Sequence, residues 1–202
     1  MALDTFDGLK TAIQAWLDRT DISGSVEDFI TLAEGHFNLK LRCRQMRTKA
    51  TLTPTDGVCV LPTDYLEQIR VVALTSPVRV LNYISPEAAD ELHDRAIVAP
   101  SNSFTVIGND LYTFPLSDQD IELTYLQRIP ALSSSNASNW LLTILPSLYL
   151  EAAMMEANRF VQNNEQLAIN SARVGEMIND LNDQANTSEF MSAGRTNRGL
   201  TP

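Results

Sequence analysis

Residues 26–52 read VEDFITLAEGHFNLKLRCRQMRTKATL, and the spacing of the apolar positions changes along this stretch. In its first half the apolar residues recur every three or four positions, which places them on one face of a helix. They are Val26, Phe29, Ile30, Ala33, Phe37 and Leu41. From Thr48 to Leu52 the residues favour a strand instead. The chain therefore passes from a helical region to a β-rich region near residue 46.

Upstream of this stretch, apolar residues at helical spacing predict a first helix, with Asp4 or Thr5 as its N-cap. Ser25 is predicted to cap the second helix, with Asp28 at the capping-box position. The two helices form a hairpin whose apolar stripes need a further surface to cover them.

Short apolar runs separated by turn residues follow, and they predict strands. The first two, Thr48–Leu52 and Val58–Leu61, are predicted to form a hairpin around Thr53–Gly57. The other predicted elements are a pair Ile69–Leu74 and Val78–Leu81, a short helix from Ser85 to Asp94, a hairpin Phe104–Ile107 and Leu111–Phe114, and a half-buried strand Ile121–Tyr125. The strands are therefore mostly antiparallel.

Two long helices are predicted in the last third of the chain. Pro146 suits the first turn of a helix that runs to about Val161, with Phe160 facing inward. After a break at Asn163, a last helix runs from about Glu165 to Ala185. Residues 186–202 are polar and lack periodicity, so we expect this arm to be disordered in the free monomer.

The predicted fold class is α+β. The N- and C-terminal helices form a bundle, a small antiparallel β subdomain is inserted between them, and a flexible C-terminal arm follows. The predicted boundaries are 1–46 for the helical hairpin, 47–138 for the β-rich insertion, 139–185 for the helices that complete the bundle and 186–202 for the arm.

The composition argues against several classes of protein. The net charge of −10 disfavours a nucleic-acid clamp over the whole surface, because such binding relies on Lys and Arg. No apolar run is long enough for a membrane span, and no secretion signal is visible. Cys43 and Cys59 lie far apart in the sequence, which favours reduced thiols in an intracellular setting.

Residues that could perform chemistry are sparse. His36 and His93 lie on separate predicted helices, and no metal-binding, phosphate-binding or nucleophile motif accompanies them. We therefore expect no catalytic residues, no metal and no cofactor. A small hydrolase is the remaining enzymatic alternative, and it would need a pocket of perturbed titratable groups.

One basic cluster reverses the sign of the local charge, and it consists of Lys40, Arg42, Arg44, Arg47 and Lys49. One interpretation is that it contacts an acidic neighbouring subunit. Another is that it contacts DNA phosphates, in which case the chain would be a nucleic-acid-binding protein. It could also be a solvated helix C-terminus favoured by the helix dipole.

The C-terminal arm combines apolar residues with arginines. They are Phe190, Met191, Arg195, Arg198 and Leu200. Such a segment can become ordered on a partner, with apolar anchors and arginines that meet acids. It could equally be a passive terminus.

Several stretches, taken in order, resemble a known family. They are Leu9–Asp21, Val26–Glu34, Leu39–Arg44, Leu61–Leu66, Tyr125–Leu132, Asn139–Leu142 and Pro146–Ala153. Together they resemble the head-to-tail adaptor proteins of tailed bacteriophages, the tail accessory or head completion group, over nearly the whole chain.

The resemblance implies a structural protein of the virion that is made in the host cytoplasm. Such adaptors form a ring, typically dodecameric, below the portal protein, and a tail nozzle or tail-tube protein docks beneath it. Genomic DNA passes through the channel without sequence specificity. The resemblance also implies that the C-terminal arm docks on the portal, with Phe190, Met191, Arg195, Arg198 and Leu200 as candidate contacts.

Overall fold

The computed structural model describes residues 3–18, 22–93 and 101–196. The chain divides into a helical unit, Met1–Gln45 with Ile129–Pro202, and a β unit, Met46–Arg128. Helices and antiparallel strands occur together, which confirms the predicted α+β class. Within the described ranges, no helix combines the length and the apolar character needed to cross a membrane.

The helices in chain order are α1 (Phe6–Leu17), α2 (Val26–Lys40), α3 (Pro86–His93), α4 (Trp140–Ile144), α5 (Pro146–Phe160) and α6 (Asn164–Thr196). The strands are β1 (Arg47–Leu52), β2 (Val58–Val60), β3 (Tyr65–Ala73), β4 (Arg79–Val80), β5 (Asn82–Tyr83), β6 (Ser103–Ile107), β7 (Asp110–Phe114) and β8 (Ile121–Gln127).

Helix α5 is the centre of the helical unit. It packs against α1, α2, α4 and α6. Three of its residues, Ala152, Ala153 and Ala157, are completely buried, and their small size lets the neighbouring helices approach closely. The ring of Phe37 on α2 meets Tyr149 edge-on at 5.0 Å between centroids. The bundle is therefore built around α5 rather than around the N-terminal hairpin.

The two predicted N-caps have different outcomes. The Thr5 hydroxyl accepts a hydrogen bond from the backbone N–H of Gly8 at 3.2 Å, which confirms it as the cap of α1. The Ser25 side chain makes no capping hydrogen bond, so the predicted capping box is wrong. A 3₁₀ turn over Ser23–Ser25 leads directly into α2, and Ser25 has a nearly helical backbone (φ −100°, ψ −1°). A cap requires an extended backbone instead.

The described residues of the β unit form two four-stranded sheets, with strand orders β1-β8-β3-β4 and β2-β7-β6-β5. Strand β8 lies between β1 and β3, and Leu123 on it is completely buried. The predicted pairs β3–β4 and β6–β7 are confirmed as antiparallel, whereas β5 pairs with β6 in parallel. Side chains from both sheets share one apolar core, including Cys59, Val71, Phe104 and Leu111.

The predicted hairpin between the first two strands is wrong. Strand β1 pairs with β8, whereas β2 pairs with β7 in the other sheet. Asp56 and Gly57 do form a tight turn with positive φ, but it joins only Thr55 to Val58. Pro54 stands just before this turn, and a proline has no N–H to continue a ladder back to β1.

Two further features differ from the prediction. The β unit ends at Arg128 rather than near residue 138. The following loop is fixed to α2, because the N–H groups of Ile129 and Leu132 donate to Asn38 and Glu34 at 2.9 and 2.8 Å. Phe160 is 61% exposed rather than inward, since it is the last residue of α5, although its ring centroid lies 5.7 Å from that of Phe29.

The last helix is longer than predicted. Helix α6 continues through residues 186–196, and the rest of the predicted arm lies outside the described residues. An established helix gains one hydrogen bond for each further residue, and no proline stops it before Thr196. Polar composition therefore does not mark the end of this helix.

Candidate functional site

Reactive side chains do not gather in one place within the described ranges. No group of three or more His, Cys, Asp or Glu residues there could hold a metal ion. His36 is half-buried on α2, and the side chain of His93 lies outside what the structure describes. Cys43 and Cys59 are both free and buried. Burial, and secondarily the charge of Asp110, raises the pKa of the Cys59 thiol to about 11, which suits an inert core residue.

A buried hydrogen-bond network joins α2 to the start of α4 and α5. Glu34 accepts from the N–H of Leu132 at 2.8 Å and from the hydroxyl of Tyr149 at 3.2 Å. Asn139 donates to that hydroxyl at 2.7 Å and to the carbonyl of Pro130 at 2.8 Å. The Asn139 side-chain oxygen also accepts from the N–H of Leu142, which caps α4. The network thus holds the loop of residues 129–139 against the bundle.

Burial is the main cause of the raised pKa values in this network. It raises the pKa of Glu34 above its ordinary value, although the hydrogen bonds from Leu132 and Tyr149 oppose the shift. Burial also raises the pKa of Tyr149 far above its ordinary value. Both groups are enclosed in a packed interior, so their perturbed pKa values reflect structure rather than a catalytic cleft.

The predicted basic cluster is divided between the two units. Lys40, Arg42 and Arg44 belong to the helical unit, and Arg47 and Lys49 belong to the β unit. All five side chains are exposed. In the helical unit, the Arg42 guanidinium turns back and donates to the carbonyls of Asn38 and Leu41 at 3.1 and 2.7 Å. Arg42 therefore satisfies the C-terminal carbonyls of α2, as the helix-dipole interpretation expects.

Helix α6 holds this end of α2 in place. The side-chain amide of Asn182 donates to the carbonyl of Lys40 at 3.1 Å and accepts from the N–H of Arg42 at 2.8 Å. Beside this contact, Arg44 and Gln45 line a cleft of about 140 Å³ together with Leu181, Gln184 and Ala185. A cation and two amides thus surround a small cleft with an apolar component.

In the β unit, the remaining basic residues share one face of the first sheet. Lys49 and Arg70 both lie opposite Thr124 of β8, and Arg47 is two residues before Lys49 on β1. The side chains of alternate residues on a strand point to the same face. Lys49 forms an ion pair with Glu122 at 2.8 Å, whereas Arg70 has no ion-pair partner among the described residues. Arg70 was not among the predicted residues, because only strand pairing places it in this row.

Helix α6 also carries an acidic stripe that was not predicted, which we define as Glu176, Asp180 and Asp183. Their spacing of four and then three residues places them on one face of the helix. All three are exposed, and none has an ion-pair partner among the described residues. The spacing of these three acids is visible in the sequence. The sequence does not show, however, which side of the helix is exposed to solvent.

The proposed arm contacts are only partly described. Phe190, Met191 and Arg195 lie on the helical backbone of α6, and their side chains are outside the described part. Arg198 and Leu200 lie outside the described residues altogether. Whether these five residues act together stays a prediction.

The described residues thus form a helical unit and a β unit, and both carry exposed charged side chains. A family model described as SU10 adaptor protein matches residues 4–198, which is nearly the whole chain. This family comprises head-to-tail adaptors of phages, which are structural proteins. The chain belongs to the SU10 adaptor protein family. A search of curated proteins finds no match.

Proposed function

We propose that copies of this chain form a ring below the portal protein, join the phage head to the tail, and line part of the DNA channel. The match to the adaptor family over residues 4–198 carries this proposal. The portal above the ring and a tail nozzle or tail-tube protein below it are the proposed partners. A dodecamer is the expected stoichiometry, from the resemblance of the sequence to known adaptors.

The length of α6 supports a role for the C-terminal segment in docking. Its 33 residues correspond to a helix of about 50 Å at 1.5 Å per residue. The last core residue on its described part is Ala185, and the helical backbone continues to Thr196. That continuation adds about 16 Å along the helix axis. We propose that residues 186–202 are the portal-docking arm, with Phe190 and Met191 as apolar anchors and Arg195 as a charged contact.

The charge of the chain supports a channel that does not retain DNA. A net charge of −10 makes most of the surface repel phosphates, so DNA can slide past without tight binding. The same repulsion between free copies favours a monomer at micromolar concentration, which polymerises when the portal aligns the copies.

An assembly experiment with purified portal tests this proposal. Full-length chain and a chain that lacks residues 186–202 would each be mixed with purified portal and imaged by electron microscopy. We expect a ring below the portal with the full chain and bare portals with the truncated chain. A full-length chain carrying Asp28→Lys, an exposed substitution on α2, is the matched control and should still assemble. Rings of equal occupancy with the truncated chain would refute the docking role of the arm, and bare portals with the full chain would refute the proposal.

The row of Lys49 and Arg70, with Arg47 beside it, favours one second candidate, a direct contact of the β unit with nucleic acid. Fluorescence anisotropy with labelled duplex DNA would test it. A nucleic-acid module predicts affinity that falls steeply with salt and is lost in an Arg47→Ala, Arg70→Ala double variant. The adaptor proposal predicts weak binding, or none, by the free chain under the same conditions.

A further inference from the structure

The acidic stripe lies on the side of α6 that faces away from the bundle. Glu176 lies two positions after buried Val174, and Asp180 lies two positions after buried Ile178. Asp183 lies two positions before buried Ala185. Two positions on a helix correspond to a rotation of about 200°. The three carboxylates therefore point away from the core.

The basic end of α2 lies on the opposite side of the same helix. Asn182 is two positions from Asp180, and its amide holds the backbone of Lys40 and Arg42. Arg44 lies beside Leu181 and Ala185 at the cleft. Lys40 and Arg44 are exposed and have no ion-pair partner among the described residues. Both surfaces belong to the helical unit, and α6 separates them, so they cannot meet within one chain.

We propose that the acidic stripe of one copy docks against Lys40, Arg44 and the adjoining cleft of the next copy. The contact joins two different surfaces, so it is heterologous and can repeat from copy to copy. An arginine offers a planar pair of donors that matches a carboxylate, and the cleft beside Arg44 can receive an acidic side chain. This inference rests on the proposed function, because it supplies the contact between neighbours in the ring.

The contact is expected to be weak in solution. Exposed ion pairs are individually weak, so two or three of them without a large apolar area give a dissociation constant of about 10 mM or higher. Copies would then stay apart when dilute and join when the portal brings them together. Raising the salt from about 50 to 500 mM should lower the association constant about tenfold, since both surfaces are exposed to solvent.

Charge reversal on each surface provides the test. One variant carries Glu176→Lys, Asp180→Lys and Asp183→Lys, and the other carries Lys40→Glu and Arg44→Glu. Each variant has like charges on both of its surfaces, so neither should associate with itself. In an equimolar mixture every stripe can meet an opposite charge, and association should return. Asp28→Lys is the control for a change of net charge alone, and it should behave like the unchanged chain.

The readout is the weight-average mass in sedimentation at concentrations up to about 1 mM in low salt. A dissociation constant of about 10 mM would already raise this mass above that of the monomer by roughly a tenth. The inference is overturned if the unchanged chain stays monomeric throughout, if either variant associates alone as the unchanged chain does, or if the mixture stays monomeric. These measurements need no portal. If association returns in the mixture but the full-length chain forms no ring on the portal, the contact between copies is supported and the head-to-tail role is refuted.

Discussion

Replacement of Asn139 by alanine should destabilise the helical unit by about 3 kcal/mol. The substitution removes the cap of α4, which is worth about 1 kcal/mol. It also removes the hydrogen bonds to the Pro130 carbonyl and the Tyr149 hydroxyl, each worth about 1 kcal/mol, and leaves buried groups without these partners. Asn139 is only 7% exposed, so water can replace these partners poorly.

Tryptophan fluorescence during urea unfolding is a suitable assay. The chain has two tryptophans, Trp16 and Trp140, and both belong to the helical unit. The fluorescence signal therefore follows the unit that the substitution affects. A loss of about 3 kcal/mol should also lower the melting temperature by roughly 6–12 °C for a chain of this size.

Asn179→Ala is the matched control, because Asn179 is an exposed residue of α6. Its effect should stay within about 0.5 kcal/mol. If Asn139→Ala costs less than about 1 kcal/mol, or no more than the control, the network does not hold residues 129–139 against the bundle, and the reasoning is wrong.

Three further predictions concern pH, a turn and the cysteines. Because folding raises the pKa of Glu34, its contribution to stability should be complete below its unfolded pKa and fall as the pH rises through its higher folded pKa. Urea titrations across that window should show this loss, and Glu34→Gln should flatten the profile; an unchanged profile would contradict the assignment. Gly57→Ala should destabilise the β unit by about 1–3 kcal/mol, since φ is +76° and a Cβ would meet Leu116 Cδ2 at 2.7 Å. Gly24→Ala, with no atom within 4 Å of the new Cβ, is the control in circular dichroism melts, and equal melting temperatures would argue against the strain. Cys43 and Cys59, which are 2% and 8% exposed, should react with a thiol reagent only as the chain unfolds. Rapid labelling of the folded chain would show that one of them is accessible.

Local patterns in the sequence were sufficient wherever neighbouring residues decide the structure. The helical spacing of α1 and α2, the cap at Thr5 and the β6–β7 hairpin were all predicted, because each depends on residues a few positions apart. The resemblance to phage adaptors also came from the sequence, since it depends on the order of short motifs along nearly the whole chain. Tertiary structure decided the rest. Strand β1 pairs with β8 and β2 with β7, and an alternating pattern does not name the partner of a strand.

The charged surfaces show the same division. The sequence located the basic cluster, but only the fold divides it between two units and joins Lys40 and Arg42 to Asn182 of α6. The sequence also contains the spacing of Glu176, Asp180 and Asp183, but only packing shows that this face of α6 points away from the core. Which side of α6 is buried depends on its packing against α5 and on the hydrogen bonds of Asn182 to the end of α2, about 140 positions away. Residue order alone therefore identified the kind of protein, and the packing of distant segments determined which charges are available to a neighbour.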